Sequence, residues 1–230
     1  MKLVPVLAAS TLFVLAACSS DTTTPATGAS SSGDQGGVAG NGVASASSAP
    51  DVNPDGKAYP TGDFGVLEGK IIQNFKFVGY PDGAVGGGLK PISLAQFFDP
   101  SGEKYKMIHI QAAASWCVYC RGETTALVPI KKDLDSRKVL WLVTLAEGGT
   151  RGVASTQKDL DLWIKDFDSP FTHLLDPNNK NLGVFFDASA LPWNASIDAK
   201  TMKILKTGTG GPQTKADILV ELDEALAKIK

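Results

Sequence analysis

Residues 107–120, with the sequence MIHIQAAASWCVYC, decide the fold of this chain. They begin with a mostly apolar run of strand length, and a Cys-x-x-Cys pair follows where a strand would give way to a helix. Residues 121–137 have helical composition, with apolar side chains at helical spacing and a kink predicted at Pro129. Residues 139–145 are again typical of a buried strand. A strand, a helix and a strand in this order predict a right-handed parallel crossover.

Cys117 and Cys120 stand at the predicted start of this helix, which has a chemical consequence. The positive end of the helix dipole and the free backbone N–H groups there stabilise a thiolate at the first cysteine. A thiolate at Cys117 attacks a sulfur of a partner, and Cys120, one turn further on, releases the partner by closing the intramolecular disulfide. The pair therefore predicts a redox-active disulfide, with no other cofactor and no metal.

Two other uses of a Cys-x-x-Cys pair fit the sequence less well. A structural disulfide is the usual state of two cysteines in an exported protein, but a loop this short constrains the unfolded chain little. Structural zinc needs about four ligands, and besides this pair the sequence offers only His109 and His173. Both histidines lie within predicted strands, where a structural histidine with satisfied hydrogen bonds is the commoner case.

The rest of the C-terminal part predicts further elements around the crossover. They are a helix over residues 156–167, a strand over 171–175, a hairpin over 194–205 and a closing helix over 214–230. Thr156 and Thr214, each with an aspartate three residues later, predict a capping box at the start of each helix. Upstream, residues 71–78 and 92–98 suit short extended segments. The chain therefore predicts an α/β domain with a mixed central sheet flanked by helices.

The N-terminus has the pattern of an exported lipoprotein. Lys2 precedes an apolar run over residues 3–17, which is short for a membrane span and typical of a secretory signal. Leu15-Ala16-Ala17 before Cys18 resembles the bacterial lipobox, in which the cysteine is diacylated and becomes the first residue of the mature chain. The alternative is an ordinary signal peptide that contains a cysteine. The lipobox predicts a signal peptide over residues 1–17 and a lipid anchor at Cys18.

Residues 18–60 differ in composition from the domain that follows them. Residues 18–60 are rich in Ser, Thr, Gly and Ala, so burial of apolar side chains cannot offset the entropy of ordering them. They predict a flexible tether, and residues 61–230 predict one domain of ordinary size. The net charge of −2 argues against a nucleic-acid partner and against a polybasic membrane-binding surface.

The segment Trp116-Cys117-x-x-Cys120-Arg121-x-Glu123 resembles the active site of membrane-tethered thioredoxin-fold reductases of the TlpA/ResA type, within the redoxin family. The likeness covers most of residues 69–230. It includes an insert between the two βα halves over residues 148–166, and the segments 174–177 and 192–198. The resemblance implies a thioredoxin-like fold with an N-terminal β extension.

The same resemblance implies a role for each matching residue. Cys117 would be the attacking thiol, Cys120 the resolving thiol, and Trp116 a ring that flanks the pair. Pro192 would be a cis-proline that faces the dithiol, although a trans loop proline is the commoner state of such residues. Glu123 would be an acidic group near the pair, either for proton transfer or simply as a first-turn acid favoured by the helix dipole.

Two departures from the family pattern concern the site. Gln111 occupies the place where thioredoxins carry a buried aspartate that assists proton transfer, so that route is absent. The pair Val118-Tyr119 lacks the proline that is common between these cysteines. Because the intervening dipeptide helps to set the reduction potential, the direction of electron flow stays open.

The sequence thus predicts an extracytoplasmic thiol-disulfide oxidoreductase in a bacterial cell envelope. Its partners would be protein thiols and disulfides, such as apocytochrome thiols or another oxidoreductase. One alternative is a peroxiredoxin-like redoxin, but Ala113-Ala114-Ser115-Trp116 lacks the proline and threonine usual before a peroxidatic cysteine. Another is a copper or metal chaperone on the same fold, with His173 as the third ligand. Ser19, in place of an aspartate after the anchor, favours the outer membrane.

Replacement of the predicted anchor tests the lipoprotein hypothesis. Cys18→Ser should move the protein from the membrane fraction to the soluble fraction, because the acylated sulfur is lost, while dithiol activity remains. Fractionation of cells followed by immunoblotting measures the distribution. An unchanged membrane fraction would contradict the anchor.

Overall fold

The computed structural model describes residues 45–187 and 189–230. The predicted signal peptide, Cys18 and residues 18–44 of the predicted tether lie outside the described residues. Within the described part, no helix is both long and apolar enough to cross a bilayer.

Seven strands form one mixed sheet. They are β1 (Lys76–Tyr80), β2 (Lys90–Ser93), β3 (Met107–Ala114), β4 (Val139–Glu147), β5 (Thr172–Leu175), β6 (Trp193–Asp198) and β7 (Ile204–Thr209). Their order across the sheet is β2-β1-β5-β4-β3-β6-β7. β4 pairs in parallel with β3 and with β5, and all other neighbours are antiparallel. The predicted parallel crossover therefore lies within the sheet, with the β6–β7 hairpin beside β3.

In the part of the chain that the structure describes, four α-helices accompany the sheet. They are α1 (Val118–Leu127), α2 (Lys131–Ser136), α3 (Gln157–Phe167) and α4 (Lys215–Leu226). The predicted helix over residues 121–137 is divided by a 3-10 turn over Val128–Ile130, because Pro129 has no N–H for the helical ladder. Thr156 and Thr214 each accept a hydrogen bond from the backbone N–H three residues on. The capping box is confirmed at Thr156, whereas at Thr214 the Asp217 carboxylate accepts from the Thr214 hydroxyl and leaves the box incomplete.

The two faces of the sheet are covered differently. On one face, here called the helix face, apolar side chains of α1, α3 and α4 form a cluster that includes Trp163 and both cysteines. On the other, the loop face, residues from strands, 3-10 turns and loops form a second cluster around Phe77, Leu94 and Trp193. The site therefore lies on the helix face.

Residues of β3 alternate between these faces, as strand geometry requires. The residues in the loop-face cluster are Ile108, Ile110 and Ala112. Met107 and Ala113 belong to the helix-face cluster, so His109 and Gln111 between them lie on the helix face as well. Two polar side chains of a buried central strand thus face the helices.

Residues 49–59 pack on the domain, although the sequence assigned them to the tether. Asn53 is buried and its side chain donates a hydrogen bond to the Phe98 carbonyl oxygen at 3.0 Å. Tyr59 is also buried, and its hydroxyl donates to the Ile72 carbonyl oxygen at 2.7 Å. The folded part therefore begins before the predicted boundary at residue 60. A few buried side chains hold this segment, and such contacts leave no apolar periodicity in the sequence.

The predicted extended segments upstream of the crossover form shorter strands than expected. β1 begins at Lys76, and Ile71 makes isolated bridges instead of belonging to a strand. β2 ends at Ser93, which forms a capping box with Gln96 and so starts a 3-10 turn. The turn accounts for the end of the strand, because its backbone N–H groups bond locally.

Gly79 lies where β1 passes close to β5, and this contact limits the size of the residue. A Cβ atom here would overlap the His173 carbonyl oxygen and lie 3.0 Å from the Leu174 Cα atom. Gly79→Ala should therefore lower the free energy of unfolding by about 1–3 kcal/mol, the usual cost of overpacking, as measured by urea unfolding of the oxidised protein. Gly86→Ala is the matched control, because a Cβ atom there meets nothing within 4 Å. Equal losses in the two variants would contradict this reasoning.

Candidate active site

Cys117 and Cys120 form a disulfide at the start of α1, with their Cα atoms 5.2 Å apart. Cys117 is the N-cap residue of the helix, and its Sγ atom accepts a hydrogen bond from the Cys120 backbone N–H at 3.1 Å. Both cysteines are buried, whereas Val118 and Tyr119 between them are 77% and 67% exposed. A partner that approaches this end of the helix therefore meets two exposed apolar side chains beside the disulfide.

Trp116 is held in place by the segment that follows β4. Its indole N–H donates to the Glu147 carboxylate at 2.6 Å, and the same oxygen accepts from the Gly152 backbone N–H at 2.8 Å. The Arg151 guanidinium lies over the indole ring, 5.0 Å from its centroid. Trp116 is half-buried, as expected for a ring that flanks the dithiol. The insert between the two βα halves thus contacts the residue that precedes the attacking thiol.

Glu123 lies one turn after Cys120 on α1, and its side chain is fully buried against the sheet. The carboxyl group accepts hydrogen bonds from the Gln111 side-chain amide at 2.7 Å and from the Asn194 side-chain amide at 3.0 Å. It also lies directly against Gly211, where a Cβ atom would overlap it. Burial raises the pKa of Glu123 to about 8, although the two amide donors act in the opposite direction. The group is therefore able to exchange a proton near neutral pH.

His109 continues this polar group along the helix face. One ring nitrogen, Nε2, lies 3.1 Å from the Asn194 amide oxygen, and Nδ1 lies 3.0 Å from the Ser196 hydroxyl. The ring also packs on Trp141, with centroids 3.9 Å apart. Burial lowers the pKa of His109 to about 4, so the ring is neutral at physiological pH. Both nitrogens have partners, as predicted for a structural histidine.

A cavity of about 570 Å³ borders this polar group. Its walls include His109, Asn194 and Ser196 from the strands, the loop over residues 208–212, and Glu221 of α4. Glu123 is absent from these walls, but Asn194 and Gly211, which both contact its carboxyl group, belong to them. The buried carboxyl thus lies one residue behind a solvent-facing pocket.

Pro192 directly precedes β6. The Leu191–Pro192 peptide bond is cis, which is the conformation that the resemblance implies. Pro192 is buried, and its carbonyl oxygen accepts a hydrogen bond from the Gly210 N–H at 2.7 Å. Leu191 is half-buried and packs against the cluster that contains both cysteines.

His173 lies on β5, which β4 separates from β3. It is buried, its Nδ1 atom lies 2.7 Å from the Phe171 carbonyl oxygen, and its Nε2 atom has no partner among the described residues. Burial lowers the pKa of His173 to about 4. In residues 45–187 and 189–230, no three His, Cys, Asp or Glu residues are grouped so as to hold a metal ion.

The structure adds residues that the sequence analysis did not select. Trp116, the two cysteines and Glu123 come from one segment, and their proximity follows from the chain itself. Asn194 and Ser196 join them because β6 pairs with β3 in a register that places Asn194 opposite Gln111. The only sequence signal for Asn194 and Ser196 was that polar residues occupy every second position of β6, which is otherwise apolar.

The chain matches no protein-family model and no curated protein. Solved structures match it over about seventy per cent of its length. A candidate thiol:disulfide interchange protein DsbE from Chlorobium tepidum is 15% identical, with 72% of this chain and 100% of that chain covered and a TM-score of 0.53. The chain has a thioredoxin-like fold.

Two further neighbours agree with this fold. A secreted thiol-disulfide isomerase from Corynebacterium glutamicum is 16% identical, with 70% of this chain and 85% of that chain covered and a TM-score of 0.53. A candidate protein disulfide isomerase from Bacteroides thetaiotaomicron is 18% identical, with 70% and 91% covered and a TM-score of 0.52. At these identities the likeness concerns the thioredoxin-like fold, and it confirms the predicted fold class.

The raised pKa of Glu123 makes the stability of this thioredoxin-like domain depend on pH. Between the ordinary pKa of glutamate and about pH 8, the folded state holds a proton that the unfolded state has released. The free energy of unfolding should therefore fall as pH rises through this interval, by on the order of a few kcal/mol. In Glu123→Gln this part of the decline should be absent.

Urea unfolding of the oxidised protein at about pH 5 and about pH 8 measures the difference. Glu103→Gln, at an exposed position, is the control and should retain the decline of the parent. Parallel pH dependence in Glu123→Gln and the parent would show that the buried carboxyl does not hold this proton.

Proposed function

We propose that this protein is an extracytoplasmic thiol-disulfide oxidoreductase of the TlpA/ResA type, which exchanges its Cys117–Cys120 disulfide with protein partners. The observation that carries the proposal is the disulfide at the N-cap of α1 in a thioredoxin-like fold. A loop closed by so few residues contributes little to stability, so its retention at a helix start is better explained by chemistry. The protein is accordingly an enzyme that uses this disulfide as its redox group.

Exchange proceeds in two displacement steps. A partner thiolate attacks Cys117 Sγ, the Cys117–Cys120 bond breaks, and Cys120 leaves as a thiolate that takes up a proton. A second partner thiolate then attacks the partner sulfur of the mixed disulfide and releases Cys117. The partner dithiol is oxidised to a disulfide, and two electrons with two protons pass to the cysteine pair. The reverse sequence reduces a partner disulfide, and relative potentials decide the direction.

The surroundings of Cys117 suit it to be the sulfur under attack. As the N-cap, its sulfur accepts a hydrogen bond from the Cys120 backbone N–H at the positive end of the α1 dipole. Both stabilise a thiolate at Cys117, which forms when Cys117 is released from the mixed disulfide and which attacks in the reverse sequence. Cys120 lies within the first turn and is fully buried, so a partner reaches it less readily. This asymmetry supports the assignment of Cys117 as attacking thiol and Cys120 as resolving thiol.

Glu123 supplies the proton that Cys120 needs. The two residues are three apart on one helix and share a face, and both are fully buried. With a pKa of about 8, the Glu123 carboxyl group holds a proton at neutral pH and can give it to a thiolate formed beside it. In this role it replaces the buried aspartate whose place Gln111 occupies.

The exposed side chains of Val118 and Tyr119 support a protein as the partner. They lie between the two cysteines in the chain and offer apolar contact area to a polypeptide, while Trp116 is fixed by its hydrogen bond to Glu147. Protein thiols of the cell envelope fit this surface, including apocytochrome thiols and those of another oxidoreductase. We place the protein in the bacterial cell envelope, held by a lipid at Cys18, with the outer membrane favoured by Ser19.

Trapping of mixed disulfides tests this function. Cys120→Ala should accumulate covalent complexes in cells, because the thiol that resolves the intermediate is absent. Alkylation of free thiols at lysis, followed by non-reducing gels and mass spectrometry, detects the complexes and names the partners.

Cys117→Ala is the matched control and should give at least tenfold fewer complexes than Cys120→Ala, because only the buried thiol remains. Addition of Glu123→Gln to Cys120→Ala should leave the trapped complexes in place. In these variants the Cys117 thiolate attacks a partner disulfide and expels a partner thiolate, so no Cys120 thiolate forms that would need a proton. Complexes of equal yield in the two single-cysteine variants would refute the assigned roles.

A further inference from the structure

Four polar side chains form a continuous hydrogen-bonded chain from the cavity to the buried carboxyl group. The Ser196 hydroxyl meets His109 Nδ1, His109 Nε2 meets the Asn194 amide oxygen, and the Asn194 amide nitrogen meets Glu123. The separations are 3.0, 3.1 and 3.0 Å. These side chains come from β3, β6 and α1, and His109 lies directly opposite Ser196 in the strand pairing.

The direction of each hydrogen bond in the chain follows from its ends. The Gly210 carbonyl oxygen, 3.1 Å from the Asn194 nitrogen, only accepts, and so does Glu123 once it has released its proton. The Asn194 nitrogen therefore faces these two groups, and the Asn194 oxygen faces His109. That oxygen only accepts, so His109 carries its hydrogen on Nε2. Nδ1 then has a free lone pair, and the Ser196 hydroxyl donates to it. Every donor in the chain therefore points towards Glu123.

The amide of Asn194 is the element with two possible states. Rotation by half a turn about its last side-chain bond would place the oxygen, not the nitrogen, against the Glu123 carboxyl group. The His109 N–H opposes that rotation from one side, and the Gly210 carbonyl oxygen, 3.1 Å from the Asn194 nitrogen, opposes it from the other. The Glu123 carboxyl has one further side-chain donor, Gln111.

We propose that Ser196 and His109 are positioning residues for Glu123, because they fix the Asn194 amide with its nitrogen towards the carboxyl group. The proposal rests on the proposed function, in which Glu123 exchanges a proton with Cys120. A donor held on the carboxylate favours release of that proton, and the rotated amide would favour its retention. His109 thus acts on the dithiol through two other side chains without touching it.

Other charged groups near these four side chains also affect the pKa of Glu123. A test must distinguish their effect from that of the hydrogen-bonded chain. Glu221 of α4 raises the pKa of Glu123 by charge repulsion, and Lys206 of β7 lowers the pKa of His109 for the same reason. Lys206 itself lies 3.6 Å from Glu221, and Asp217 lines the same cavity. Removal of Glu221 should therefore lower the pKa of Glu123, whereas loss of His109 should raise it.

Two substitutions at His109 provide a matched pair. His109→Gln places an amide nitrogen near the original Nε2 position and so keeps a donor for Asn194. The shorter side chain of His109→Asn reaches only the original Nδ1 position, so it can contact Ser196 but offers no donor to Asn194. The readout is the pKa of the Glu123 carboxyl group, followed by carbon-13 NMR of labelled oxidised protein, which needs no partner. Thermal unfolding establishes that each variant folds.

In His109→Asn the acid dissociation constant of Glu123 should fall roughly threefold, and in His109→Gln it should stay close to the parent value. Asn194→Ala should lower it about tenfold, since the donor itself is lost. Glu221→Gln should raise it, because a like charge is removed. If His109→Asn does not fold, Ser196→Ala should lower the acid dissociation constant of Glu123 in its place. That variant lacks the hydroxyl group that donates to Nδ1 and so keeps the hydrogen of His109 on Nε2.

The same variants also separate this proposal from the proposed function. The pH profile of Cys120 alkylation in the reduced protein should shift in His109→Asn, and Glu123→Gln should abolish that shift. An equal pKa of the Glu123 carboxyl group in His109→Asn and His109→Gln would overturn the positioning role. A shift of the Cys120 alkylation profile that persists in the presence of Glu123→Gln would overturn it as well. The predicted carboxyl titrations without any mixed disulfides in cells would support the positioning chain and refute the oxidoreductase function.

Discussion

The burial of the Glu123 carboxyl group between α1 and the sheet is the constraint on which the rest of the site depends. A carboxyl group without hydrogen bonds in an apolar interior costs several kcal/mol, so the surface below it must be polar. Gln111 and Asn194 meet that need from neighbouring strands, and the second of these requires a partner for its own oxygen. His109 is that partner, and Ser196 completes it. One acidic residue thus accounts for a polar region within an apolar sheet face.

The same requirement extends to the backbone. The loop after β7 closes over the carboxyl group, and only glycine at position 211 leaves room for it. The loop is tied back to the start of β6 by the hydrogen bond between Gly210 and Pro192. The helix start, the proline before β6 and the loop after β7 are therefore joined around one buried group, although about ninety residues of sequence separate the first from the last.

The sequence predicted the parts of the molecule that depend on local rules. The apolar run of β3, the helix start at Cys117, the break at Pro129 and the caps at Thr156 and Thr214 each follow from a few adjacent residues. Asn194 and Ser196 could not be found in that way, because their contacts depend on the register between β3 and β6, which forms only in the folded chain. Residues 49–59 escaped detection for a related reason. Their attachment relies on single buried side chains rather than on a repeating apolar pattern.

That attachment gives the domain a mechanical property. Residues 49–59 are fixed mainly by separate side-chain hydrogen bonds, such as those of Asn53 and Tyr59, and not by a strand ladder. We expect a pull applied through the chain before residue 45 to break these separate bonds one after another rather than all at once. Each released residue adds roughly 3.3–3.6 Å of contour length, or about 36–40 Å for the whole segment. The segment would thereby lengthen under tension before the strands of the sheet that carries the disulfide come apart.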